Sequence, residues 1–263
     1  MQFSILGSSS SGNSALLLTE NSKVLIDAGF SCKRLCEKLE ARGTDPADID
    51  AIFVTHEHSD HSAGISTFGK RFGTKVFANQ KTAQALQPKM KNRPNWQLFN
   101  TGSTFQFQDL TVENFSIPHD AHDPVGFKFT SGTGDDLFSP IRSVAWLTDL
   151  GFAPSDIASR IQDVDALVIE SNYDKEMLEM DSRRPWSLKQ RISGRHGHLS
   201  NEEACNLLQS VENPRWKRVF LAHLSSDCNS ESAITKTFSA LRKIANFEIK
   251  TIAAGEGSEL LHV

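Results

Sequence analysis

The chain has 263 residues, 38% of them hydrophobic and 23% charged, with a formal net charge of −4. That length suits one α/β domain over residues 1–263 with a sizeable core, and the mild acidity excludes a protein that coats nucleic acid through bulk charge. Cys32, Cys36, Cys205 and Cys228 are too few and scattered for a disulfide framework; with no apolar stretch of roughly 20 residues and no basic signal-peptide start, a soluble, cytoplasmic protein is expected.

Residues 3–6, 15–19 and 24–26 read as short strands separated by turn residues. Ser31 is placed to cap a helix running to about Arg42, with Gly43 stopping it. Ala51-Ile52-Phe53-Val54 is a continuous apolar run, the pattern of a strand covered on both faces. A helix over 63–72, a strand over 75–78 and a helix over 80–86 follow. From 96 to 130 the text is strand-like, with aromatics alternating in Phe105-Gln106-Phe107 and Phe127-Lys128-Phe129. Residues 143–147, 166–169 and 219–222 are further buried strands, while 201–211 and 230–245 are amphipathic helices. Two packed sheets with helices outside accommodate this order.

The run Thr55-His56-Glu57-His58-Ser59-Asp60-His61 carries most of the information. It sets three imidazoles and a carboxylate in one loop directly after a buried strand, and these are donors that zinc, iron and manganese take. The competing reading is a polar surface loop with chance histidines. It is disfavoured because histidine is uncommon and the rest of the chain repeats the theme.

This loop resembles the His-x-His-x-Asp-His signature of the metallo-β-lactamase superfamily. Pro118-His119-Asp120-Ala121, Leu147-Thr148-Asp149-Leu150-Gly151 and Leu221-Ala222-His223-Leu224-Ser225 match further elements of that family. The resemblance implies an α/β fold of the αββα four-layer type, two mixed sheets with helices on their outer faces. It implies two divalent metal ions, Zn2+ or Mn2+ with Fe2+ also admissible. On that pattern His56, His58 and His119 hold one ion, Asp60, His61 and His223 hold the other, and Asp149 joins them with a bridging hydroxide that attacks substrate. Asp60 thereby counts as catalytic as well as ligating. Asp27 matches the family's buried acid that orients a ligand imidazole, and reads equally as an acid capping a turn before Gly29. His122 is an alternative to His119 as ligand, with a spacing to Gly126 that fits the family less well.

Several features select a branch. His58 stands where oxygen-reducing di-iron members carry glutamate, and Asp149 where zinc β-lactamases carry cysteine. The stretch between Asp149 and His223 is too short for the extra domain of RNA-cleaving β-CASP members. The segment from Arg195 to Ala204 resembles the His-x-Ser/Thr motif of tRNA 3′-processing nucleases, which implies His198 as general acid to a leaving alcohol, with His196 unassigned. Ser200 and Glu203 also form the pattern of a helix-capping box, and the two readings are compatible. Gly7-Ser8-Ser9-Ser10-Ser11-Gly12-Asn13-Ser14, taken with His119-Asp120-Ala121 and Gly197-His198-Leu199-Ser200-Asn201, resembles the bacterial YycJ group (also WalJ or VicX), which is associated with 5′-to-3′ exonuclease action on DNA. Ser9, Ser10 and Asn13 are then candidates to meet substrate, through backbone N–H groups offered to a phosphate; alone, the run is a flexible turn. Arg183, Arg184 and Arg191 flank Trp186, a grouping that suits a phosphate backbone with a stacked base or a solvated face.

The reading is a binuclear metal-dependent hydrolase of the phosphodiesterase or nuclease type, with DNA as the favoured substrate and no membrane partner. Pairing into a homodimer is compatible with it. The alternative is a small-molecule thioester or lactone hydrolase of glyoxalase II type. A DNA-binding accessory protein with a vestigial site is a third.

Overall fold

The apolar runs become parallel strands and the alternating aromatics of the middle become antiparallel ones. Both kinds enter two seven-stranded sheets in the computed structural model, which describes residues 1–135 and 139–263. The first sheet takes β1 (Gln2–Gly7), β2 (Ser14–Leu18), β3 (Lys23–Ile26), β4 (Ala51–Phe53), β5 (Lys75–Asn79) and β6 (Asn95–Phe99). The second takes β7 (Thr104–Phe107), β8 (Leu110–Ser116), β9 (Val125–Ser131), β10 (Arg142–Leu147), β11 (Ala166–Glu170), β12 (Arg218–Ala222) and β13 (Glu248–Thr251). The closing β14 (Leu261–His262) returns to β1, so the orders are β14-β1-β2-β3-β4-β5-β6 and β13-β12-β11-β10-β9-β8-β7. Strands β3 to β6 run parallel, and so do β10 to β13.

Helices α1 (Cys32–Glu40), α2 (Ser59–Ser62), α3 (Ile65–Phe72) and α4 (Gln80–Leu86) belong to the first half. The second half has α5 (Ile157–Gln162), α6 (Lys175–Met180), α7 (Trp186–Ile192), α8 (Asn201–Ser210) and α9 (Glu231–Ile244). The continuous run of β4 explains the layering. Ile52 packs outward with Leu35 of α1 and Phe68 of α3, whereas Phe53 packs inward with Phe127 and Phe129 of the facing sheet. On the far side, Leu147, Leu167 and Leu221 meet Ile157, Leu208 and Phe238 from α5, α8 and α9. The order is helix, sheet, sheet, helix, as the sequence implied.

Ser31 caps α1 by accepting from Arg34 N–H, and Ser200 and Glu203 complete the capping box on α8. The expected helix over 63–72 starts two residues later, as α3, and a separate turn of helix precedes it. One turn, α2, begins inside the histidine loop, and Gly64 separates it from α3. There the backbone packs on loop 28–30, and a Cβ at Gly64 would lie 2.4 Å from the Phe30 carbonyl oxygen. No helix among the described residues is long and apolar enough to cross a membrane.

This topology aligns the C-terminal ends of β3, β4, β10, β11 and β12 along one edge of the sandwich. Glu170 ends β11, while Asp27, Asp149 and His223 sit just past β3, β10 and β12. Phe53 anchors that edge from below, its ring 4.7 to 6.3 Å from those of Phe77, Phe105, Phe107, Phe127 and Phe129. Phe53→Ala is expected to lower stability by about 3–5 kcal/mol, since it removes a ring from a closed inter-sheet core. Urea denaturation of the two proteins measures this, and an unchanged midpoint contradicts it.

Candidate metal centre

Seven side chains from four separate segments, 56–61, His119, Asp149 and His223, converge at this edge. His56 Nε2 lies 3.1 Å from His58 Nδ1, which in turn lies 3.3 Å from His119 Nε2. A tetrahedron built on Zn–N bonds of about 2.0–2.1 Å has N···N edges near this length. A second group places Asp60 Oδ2 3.4 Å from His61 Nε2 and 3.7 Å from His223 Nε2. Asp149 faces both groups: Oδ2 is 3.1 Å from His61 Nε2 and Oδ1 is 3.6 Å from His119 Nε2. The donor atoms of each set, His56/His58/His119 and Asp60/His61/His223, are close enough together to hold one ion.

The outward nitrogens of four of these five rings are also held. His61 Nδ1–H donates to Asp27 Oδ2 at 2.7 Å, and Asp27 is buried and further fixed by Thr55 N–H and Oγ1–H. His119 Nδ1–H donates to the Gly197 carbonyl at 3.1 Å, His223 Nδ1–H to Glu170 Oε1 at 2.6 Å, and His56 Nδ1 lies 3.0 Å from Thr55 Oγ1. An imidazole held this way turns its other nitrogen and its lone pair to a shared centre, which is how histidines are oriented at metal sites. Two atoms at that centre, Asp149 Oδ2 and His223 Nε2, are buried with no hydrogen-bond partner among the described residues. Buried polar atoms are rarely left so, and a cation would satisfy both. The donor set fits a divalent metal.

The electrostatics agree. Burial opposes a charge on His61, yet Asp149, Asp27 and Asp60 outweigh it and hold the imidazole well above its usual range. His223 is pushed up to about 10, against the cost of burial, by Asp149, Asp60 and Glu170. The four carboxylates create a potential that protons answer on these rings when no other cation does.

Above the centre lies a cleft of about 370 Å³. His198 stands in its wall with Nδ1–H donated to Glu170 Oε1 at 2.8 Å. Ser10 and Arg191 line the cleft; Arg191 Nε–H donates to Asp120 Oδ2, leaving both Nη groups without a hydrogen bond among the described residues. The other sequence candidates are placed elsewhere. Ser9 and Asn13, expected to meet substrate, are buried beneath the site. Arg183 and Arg184 are outside the cleft lining and pair with Asp181 and Asp227. Helix α7 turns Leu188, Arg191 and Ile192 to the cleft; at about 100° per residue this leaves the exposed Trp186 on the far face. His122 is 66% exposed and bonds Glu57 Oε1, so His119 and not His122 joins the histidine group. His196 is exposed.

Glu170 was not singled out from the sequence. It is buried, binds His198 and His223 through one oxygen, and accepts the Leu150 and Leu199 N–H groups on the other. Its signal was an acid closing the apolar run Ala166-Leu167-Val168-Ile169-Glu170, as Asp27 closes Val24-Leu25-Ile26.

Residues 22–224 match the β-lactamase superfamily domain, and the chain belongs to that superfamily. Within it, the chain is 37% identical over 232 residues to exodeoxyribonuclease WalJ of Streptococcus pneumoniae, covering 87% of this chain and 83% of that protein. It is 34% identical over 262 residues to exodeoxyribonuclease YycJ of Bacillus anthracis, covering 99% and 94%. Among solved structures, Zn2+-bound PqqB from Methylobacterium extorquens shares the fold, with a TM-score of 0.72 at 17% identity and coverage of 99% and 100%.

For the chelator-treated chain the sign of the pH effect follows from His223. Its raised value means that the imidazolium's contribution is complete below the ordinary range near pH 6.5 and is lost as pH rises toward about 10. Metal-free protein should therefore lose stability across that window, and Glu170→Gln should lower the His223 value. NMR titration of the imidazole carbons tests both; an unshifted His223 contradicts them.

Proposed function

We propose that this chain is a metal-dependent exodeoxyribonuclease that hydrolyses phosphodiester bonds at two divalent ions. His56, His58 and His119 hold one ion, Asp60, His61 and His223 hold the other, and Asp149 stands between them. The observation that carries the reading is the meeting of these two donor sets around the unpartnered Asp149 Oδ2 and His223 Nε2. The likeness over most of its length to two relatives named as exodeoxyribonucleases supplies the substrate class. Histidine and carboxylate donors suit Zn2+ and Mn2+ alike, and among the described residues no thiolate or thioether lines the cleft to narrow the choice.

Bound divalent ions supply Lewis acidity, lowering the pKa of water and offsetting charge on the phosphate oxygens. The chain's own groups do the rest. Asp27, Gly197 and Glu170 fix the ring tautomers, so each lone pair already points inward before substrate arrives. Arg191 offers its unspent Nη donors to a phosphate at the mouth of the cleft, the fork geometry that guanidinium provides. His198 holds the proton for the departing sugar oxygen. Burial opposes its charge, but Glu170 outweighs it and raises the pKa above the ordinary imidazole range, so the ring holds its proton more firmly than a free imidazole while Nδ1 is tied to Glu170. Glu170 keeps that ring oriented.

Three measurements test this. His61→Ala is expected to abolish Mn2+- or Zn2+-supported degradation of end-labelled DNA while circular dichroism stays native; undiminished activity contradicts the assignment. His198→Ala should slow DNA cleavage by about 10²–10⁴-fold yet spare bis(p-nitrophenyl) phosphate, whose nitrophenolate leaves without a proton. Equal losses on both substrates would remove His198 from proton transfer. Faster turnover of a thioester than of either phosphodiester would overturn the substrate class.

A further inference from the structure

The serine-rich loop after β1 closes on the site from beneath, and its hydrogen bonds have only one consistent set of directions. His223 N–H donates to Ser8 Oγ at 2.9 Å, so the Ser8 hydroxyl is free to donate onward, and it does so to Asn13 Oδ1 at 2.8 Å. Ser9 N–H also donates to that oxygen, and Asn13 Nδ2–H donates back to the Ser9 carbonyl at 2.9 Å. The orientation of the amide is thereby fixed. Its Nδ2 must then face the site, where it lies 3.2 Å from Asp60 Oδ2 and 3.1 Å from His61 Nε2. Asn13 N–H further donates to the Asp60 carbonyl at 2.7 Å, and both Ser8 and Asn13 are fully buried.

The path links the two sheets. Asp60 and His61 follow β4 of the first sheet, and His223 follows β12 of the second. No backbone ladder joins those strands, because each lies inside its own sheet. The Ser8 hydroxyl and Asn13 amide bridge that gap with directional bonds.

We infer that Asn13, with Ser8 as relay, is a positioning residue for the Asp60/His61/His223 ion and not for the His56/His58/His119 ion. The assignment rests on the binuclear reading proposed above. No hydrogen bond joins His56, His58 or His119 to Asn13 or Ser8, whereas all three members of the other set are bonded to this pair directly or lie within hydrogen-bond distance of it. Losing a donor that holds a ligand carboxylate typically weakens metal binding by about 10–100-fold.

The test is metal binding itself. Metal-free protein is titrated with Zn2+ by calorimetry, and bound zinc is counted by elemental analysis after gel filtration. The unaltered chain is expected to bind two ions, and Asn13→Ala to keep one at unchanged affinity while the other weakens about 10–100-fold. Ser8→Ala leaves the amide in place and removes only the relay, so it should weaken the same ion by a smaller factor. Adding Ser8→Ala to Asn13→Ala should cost little more, because both act along one path. Two ions at unaltered affinities in Asn13→Ala and Ser8→Ala would overturn the inference, as would equal weakening of both ions, which marks a general structural role. Should Asn13→Ala not fold, Ser8→Ala carries the same decision. A single ion in the unaltered chain would overturn the binuclear reading and this assignment with it, whereas two ions that ignore Asn13 and Ser8 overturn this assignment alone.

Discussion

The structure depends on a charge problem at the edge of the sandwich. Asp27, Asp60, Asp149 and Glu170 gather there, three of them wholly enclosed and Asp60 largely so, with no lysine or arginine paired to any of the four among the described residues. Carboxylates taken out of water are costly unless a counter-charge meets them. Protons on His61 and His223 meet it in part, which is why those rings bind protons so firmly. Divalent cations would balance these carboxylates and leave the imidazoles that face them neutral, the state in which an imidazole can serve as a ligand. A site arranged this way is incomplete on its own side chains.

The backbone is held away from its ordinary minima at the same points. Asp27, Asp149 and His223 have φ of 58°, 60° and 55°, the left-handed region that side chains with a Cβ enter at a cost. Each follows the end of a parallel strand, and the turn rotates the next side chain off the sheet and into the space between the layers. The cost is offset by firm local bonding: Asp27 N–H to the Phe53 carbonyl and His223 N–H to Ser8 Oγ. At Gly29 even a methyl group would collide with the Asp60 carbonyl, 1.7 Å from its Cβ position, so the loop bearing Asp60 and His61 rests directly on backbone.

How much of this could be read from the sequence follows from the kind of signal each residue sends. His56, His58, Asp60 and His61 crowd into a few positions after an apolar strand, and Asp149 and His223 each break an apolar run at its end; such patterns survive without coordinates. The choice of His119 over His122 needed the fold, because it depends on which residue the turn after Pro118 aims inward, and His122 is drawn outward by Glu57. Glu170 was invisible because one acid at a strand end is common, and only its two histidine partners, 28 and 53 residues away, give it meaning. The arginines show the opposite error. Arg183, Arg184 and Arg191 look like one basic strip along the chain, but helix α7 and the acids Asp181 and Asp227 divide them, so that only Arg191 reaches the cleft.

Because each sheet supplies part of the donor set, metal binding there would be coupled to folding. Asp60, His61 and His56 come from the first sheet's edge, His119, Asp149 and His223 from the second's, and the inter-sheet packing around Phe53, Phe127 and Phe129 sets the distance between them. An ion that touches both halves binds only when they are docked, so it stabilises the docked state by mass action. Within the second half, Gly151 packs against the Arg195 carbonyl, 2.4 Å from where a Cβ would stand, which brings the loop of His198 down onto the turn of Asp149. Anything that parts the sheets therefore separates His56, His58, Asp60 and His61 from His119, Asp149 and His223 in one motion. A defect deep in the apolar core would then be felt first as lost metal, before the strands themselves come apart.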